Sequence, residues 1–252
     1  MNLKHDLLKR PLELKKTHDY CAVKSPRLTV VFIHGIATDS SSFTRAIDYL
    51  EGTTSLSEIR FVAFDLLGAG KSYASDKLEY NYAEQIEALH NAILKLELTT
   101  PLVLVGHSMG TLIATRYADT YKKSVKRLIL LSPPVYTEED LASPEFADAM
   151  KAFRGAVGAK NRKILETKAF NGSMNNIVLN KRNYKVLTEL KTRAVLIYGD
   201  ADQIIGAHNM PKILKENPKY LTAIKVEGGH SVSRDKYSKM VGVLEGVLNE
   251  IS

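Results

Sequence analysis

Leu102-Val103-Leu104-Val105-Gly106-His107-Ser108-Met109-Gly110 decides the architecture. Four apolar residues run without a polar break into Gly-x-Ser-x-Gly, and a helical pattern follows at once over Ser108–Tyr121. A short, wholly apolar run is how a strand covered on both faces reads. A serine on the sharp turn between such a strand and a helix has its hydroxyl lifted above the sheet edge. Gly106 and Gly110 let neighbouring backbone pack closely around that turn. The start of the helix then offers free N–H groups and a positive dipole to a developing oxyanion.

Outward from this stretch the pattern repeats. Strands are expected at Leu28–His34, Ile59–Asp65, Leu102–Gly106, Val125–Ser132, Ala194–Gly199 and Leu221–Val226, with antiparallel edge strands over Lys15–Lys24. Helical spacing is read over Tyr82–Leu96, Ser108–Tyr121 and Asp235–Ile251. Alternating strands and helices predict an α/β fold with a mostly parallel central sheet flanked by helices. The alternation breaks after Pro133-Pro134, and the next strand begins only at Ala194. A structureless loop of that length is improbable in a compact domain. Helical patches at Pro144–Val157, Asn161–Phe170 and Lys181–Leu190 instead predict a small helical insertion over 133–193, with 1–132 and 194–252 forming the core.

A serine hydroxyl needs a base, and the base needs an orienting acid. Both are found at later strand ends: Asp200-Ala201-Asp202 follows Ala194–Gly199, and Glu227-Gly228-Gly229-His230 follows Leu221–Val226. His230 is the candidate base. His34-Gly35-Ile36 closes the first strand of the series, where Gly35 permits a backbone conformation barred to other residues. The backbone N–H groups of Ile36 and Met109 are the candidate oxyanion hole. His34 and His107 are expected to hydrogen-bond locally. Gly68-Ala69-Gly70-Lys71-Ser72 ends like a phosphate-binding loop, but the full pattern needs glycine where Asp65 stands and a helix straight after Ser72. It is read as a turn.

In this order, His34-Gly35, Asp65–Ser72, Gly106–Gly110, Gly199–Asp202 and Gly229-His230 resemble the α/β-hydrolase superfamily over residues 28–132 and 194–252. The resemblance implies an α/β-hydrolase fold with a helical cap inserted after the strand at 125–132. It also implies a catalytic triad of Ser108, Asp202 and His230, with Asp202 preferred to Asp200, and no metal or organic cofactor. The chemistry implied is carboxylic ester hydrolysis through an acyl-enzyme. Thioesterase, monoacylglycerol lipase, or a ligand receptor with a slow triad are alternatives. The aromatic often found after the oxyanion loop is matched by Phe43. A cap with its apolar face inward would line the pocket with Met150, Phe153, Val157 and Met174. Thr111 departs from the glycine often found just after the elbow.

Composition narrows the rest. The 252 residues are 44% hydrophobic and 25% charged, with one cysteine, so no intrachain disulfide is possible. No apolar run approaches the ~20 residues that span a bilayer. Charges interrupt the N-terminal segment, so a soluble, cytoplasmic protein is expected; its substrate, as the resemblance implies, is a small-molecule acyl ester. The net charge is +7, but residues 151–193 hold eleven Lys and Arg against Glu166 and Glu189, a net of +9. The remainder nets −2. No nucleic-acid module accompanies this basic segment, which is read as a solvated face.

Overall fold

The computed structural model describes residues 12–160, 167–230 and 237–251. Seven strands form one sheet: β1 (Lys15–Tyr20), β2 (Leu28–Ile33), β3 (Ile59–Asp65), β4 (Leu102–His107), β5 (Val125–Leu131), β6 (Ala194–Gly199) and β7 (Leu221–Val226). Their order is β1-β3-β2-β4-β5-β6-β7. Only β1 is antiparallel, along β3; every other pairing is parallel. The edge expected over Lys15–Lys24 is this single strand, with its register shifted between Lys16 and His18.

Strand residues alternate between two cores because successive side chains leave opposite faces. Val30, Phe32, Val103, Val105, Ile129 and Ile197 face the helices α1 (Thr44–Glu51) and α9 (Tyr237–Ile251). Val31, Ile33, Leu104, Leu128 and Leu196 face α2 (Tyr82–Leu94), α3 (Met109–Thr120) and α8 (Met210–Glu216). Helix α2 starts at a reciprocal cap, in which Asn81 accepts from the Glu84 N–H and the Glu84 side chain from the Asn81 N–H. Helix α1 was not anticipated. Its apolar residues Ala46, Ile47 and Leu50 fill barely two turns, too short a window for periodicity to register.

The stretch between β5 and β6 is helical, as expected. It contains α4 (Glu138–Ala142), α5 (Pro144–Lys160), α6 (Thr167–Ser173), a π-helical turn (Met174–Val178) and α7 (Asn183–Thr188). The helix expected from Asn161 is described only from Thr167, and the helix start expected at Asp235 lies outside the described residues. Among the described residues no helix is long and apolar enough to cross a membrane.

Strand β2 lies between β3 and β4, so the chain reverses its direction of travel across the sheet there. Open α/β sheets bind ligands outside the carboxyl ends of the strands at such a switch point. The loop after β2 and the turn after β4 meet at this crevice, because Ile33 pairs with Gly106.

Candidate active site

Ser108 sits between β4 and α3 with φ 50° and ψ −122°. A non-glycine residue in so sparsely populated a region costs about 1–3 kcal/mol and persists only where its surroundings over-determine it. Here the Ser108 N–H donates to Leu131 O at 2.9 Å, and Ser108 O accepts from the Thr111 N–H at 2.9 Å and from Thr111 Oγ1 at 2.6 Å. Thr111 is thus a tether of the turn. Space is as restrictive as torsion: a Cβ on Gly106 would lie 2.6 Å from Gly110 C, and one on Gly110 would lie 2.1 Å from Ile33 O.

Three side chains from three strand ends meet at this turn. His230 Nε2 is 3.0 Å from Ser108 Oγ, and His230 Nδ1 is 3.0 Å from Asp202 Oδ2. With the proton on Nδ1, His230 donates to Asp202 and accepts from Ser108, and every partner is satisfied. Asp202 Oδ1 accepts from the Ile204 N–H at 3.0 Å. Burial opposes ionisation of Asp202, but the bonds from His230 and Ile204 outweigh it and hold the carboxyl below its ordinary range. Asp200 is exposed and turned away, with Oδ1 accepting from the Gly228 N–H at 2.9 Å.

The loop after β2 is fixed by His34. Its Nδ1–H donates to Gly35 O at 2.8 Å and its Nε2 accepts from the Leu66 N–H at 2.9 Å. Desolvation lowers its pKa, consistent with this neutral form. The reason for glycine at 35 differs from the one expected. Gly35 is not left-handed; Ala37 is, with φ 61°. Gly35 instead allows close approach, since a Cβ there would be 3.1 Å from Ser108 Cβ and 3.2 Å from His107 Nδ1. Half-buried Ile36 and buried Met109, with Ala169 and Ser173 of α6, line a cavity of about 10 Å³, close to the room one water needs. Met109 opens α3, so its N–H has no helical acceptor.

Residues 68–72 form a turn clasped by Asp65, whose carboxylate accepts from the Lys71 N–H at 2.8 Å and from Ser40 N–H and Oγ at 3.0 and 2.6 Å. No helix follows until Tyr82. The phosphate-loop reading therefore fails in structure as it did in sequence.

The residues expected to line a pocket separate. Met150 borders a cleft of about 400 Å³ beside Asp202, together with Tyr136, Phe146, Ala149 and Ile204. Phe153 packs partly buried against the adjoining core. Phe43 is 3% exposed, with its ring 5.0 Å from that of Phe32 in the core facing α1 and α9. Met174 is fully buried beside Phe170 and Ile177. Both therefore pack as core. The Val157 side chain lies outside the described residues. Tyr136, Ala169 and Ser173 went unread because nothing local marks a residue that reaches a site only through tertiary packing. Among the described residues of the basic segment, Lys151, Lys168, Lys181, Arg182 and Lys185 are exposed. The cleft by Asp202 is bordered instead by Asp140 and Glu145. Among the described residues no group of three or more His, Cys, Asp or Glu is arranged to hold a metal ion.

Comparisons with known proteins agree with this architecture. A family model described as alpha/beta hydrolase fold matches residues 29–173. The probable lysophospholipase BODYGUARD 5 of Arabidopsis thaliana is 32% identical over 48% of this chain. That match spans 27% of the plant protein, so the chain corresponds to about a quarter of its length. Lipase 1 of Psychrobacter immobilis is 24% identical over 86% of this chain and 77% of its own. The crystal structure of the Paleococcus ferrophilus monoacylglycerol lipase superposes with a TM-score of 0.70 at 20% identity, covering 96% of this chain and all of that one.

Proposed function

The chain belongs to the α/β-hydrolase fold family, and from that premise we propose that it is a serine hydrolase that cleaves carboxylic esters through an acyl-enzyme. The observation that carries this reading is the continuous chain Asp202–His230–Ser108, with both hydrogen bonds at 3.0 Å. Ser108 attacks the ester carbonyl while His230 Nε2 takes its proton. Asp202 holds the imidazole in the tautomer that can accept and stabilises the cation that forms. The carbonyl oxygen becomes an oxyanion, received by the N–H groups of Ile36 and Met109 in the small cavity they line. His230 then returns the proton to the leaving alcohol. Water repeats the cycle, and the acid departs. The lipases among the relatives favour an acyl ester as substrate. The helices over 133–193 act as a cap in this reading. They line the oxyanion cavity through Ala169 and Ser173, and the 400 Å³ cleft beside Asp202 through Phe146 and Met150.

The test is labelling with a fluorophosphonate together with Ser108→Ala. The probe should mark Ser108 alone, and the variant should lose nearly all p-nitrophenyl ester turnover, since a triad serine is worth up to about 10⁶ in rate. Full turnover in the purified Ala variant ends the reading.

A further inference from the structure

His230 does two separate things: its side chain meets Ser108 and Asp202, and its backbone must be held where that meeting is possible. The loop that carries it leaves β7 through Gly228, at φ 144°, and Gly229, so its own torsions restrain it little. Outside ties do the work. The end of β6 supplies two, Ala201 N–H to Gly228 O at 2.9 Å and Gly228 N–H to Asp200 Oδ1 at 2.9 Å. Neither reaches His230 itself. Among the described residues a bond to its backbone comes from the other side of the site, where His107 Nε2 lies 3.1 Å from His230 O with the two rings 5.4 Å apart.

We propose that His107 is a positioning residue: by donating its Nε2–H to the His230 carbonyl, it ties the loop carrying the base to the strand end carrying the nucleophile. The inference rests on the reading of Ser108 and His230 as nucleophile and base. A carbonyl only accepts, so the proton of His107 is on Nε2, and Nδ1 faces the close pass of Gly35. Because His107 ends β4 and directly precedes Ser108, the tie sets the distance between the two reacting residues through backbone, whatever rotamer the His230 ring adopts. Misplacement of a reacting group by about 1 Å can cost 10²-fold in rate. Thus each side-chain partner of His230 has a near neighbour in sequence gripping its loop: His107 beside Ser108, and Asp200 near Asp202.

The experiment compares His107→Leu, which removes the donor at similar bulk, with His107→Gln, whose amide nitrogen reaches about as far as Nε2. The measured quantities are kcat and KM on a p-nitrophenyl ester, the rate of fluorophosphonate labelling at Ser108, and Tm. The Leu variant should lose about 10- to 100-fold in kcat with KM nearly unchanged, and labelling should slow in parallel. Gln should restore most of both. A folded Leu variant with wild-type kcat and labelling overturns the proposal, as does a Gln variant as slow as Leu at equal Tm. If Leu prevents folding, Asn replaces it as the donor too short to reach His230 O, with the same two outcomes. Wild-type protein that neither turns over ester nor labels at Ser108 defeats instead the reading on which the proposal rests.

Discussion

Gly110 approaches β2 so closely that a Cβ added to it would stand 2.1 Å from the carbonyl oxygen of Ile33. The obstacle is backbone in the middle of a parallel sheet, so it cannot swing aside as a side chain can. Helix α3 is thereby pressed onto the sheet at its first turn, where Met109 presents its N–H.

Gly110→Ala should therefore force α3 outward. Overpacking of this kind costs about 1–3 kcal/mol. In a chain of this size each kcal/mol lowers Tm by roughly 2–4 °C. Thermal unfolding checks it, and an unchanged Tm would mean that the turn has slack the contact distances deny.

The two aspartates after β6 should separate cleanly. Asp202→Asn offers His230 Nδ1 an amide, which favours the wrong tautomer, and should lower kcat on the order of 10⁴-fold. Asp200→Asn keeps an oxygen to accept from the Gly228 N–H and should stay within a few-fold of wild type. Steady-state kinetics on one ester suffices. The reverse ranking would transfer the role of acid to Asp200.

Stability should carry a proton signature from His107. Desolvation, with the nearby His230 adding to it, pushes its pKa from 6.5 down to about 4 in the folded chain. Between those values the unfolded chain binds a proton that the folded one refuses, so acid favours unfolding. The stabilisation is complete above about pH 6.5 and is lost as pH falls toward 4. At about 1.4 kcal/mol per pH unit the loss is on the order of 3 kcal/mol. Buried His34, also lowered by desolvation, adds in the same direction. His107→Gln should flatten the decline by one proton while leaving that of His34. Urea unfolding across pH 4.5–7 measures it, and parallel curves for the two proteins would refute the shift.

What the sequence determined by itself is what local chemistry encodes. Ile59–Asp65, Ala194–Gly199 and Leu221–Val226 are strands at the bounds their patterns imply. The turn at Gly106–Gly110 was legible because only small residues and one torsional extreme suit it. That Ser108, Asp202 and His230 lie together follows from their places just after β4, β6 and β7, because the ends of parallel strands share one edge of the sheet. Tertiary structure alone decided the matters that depend on which surfaces meet. Glycine at 35 serves contact with His107 and Ser108 rather than a left-handed turn, and Phe43 and Met174 pack into core rather than pocket. Likewise, Lys151, Lys168, Lys181, Arg182 and Lys185 are exposed while Asp140 and Glu145 border the cleft. The bond between His107 and His230 joins residues 123 positions apart. Periodicity and torsional preference act over a few neighbours, whereas the contacts of a ring are settled only when distant strands are laid side by side.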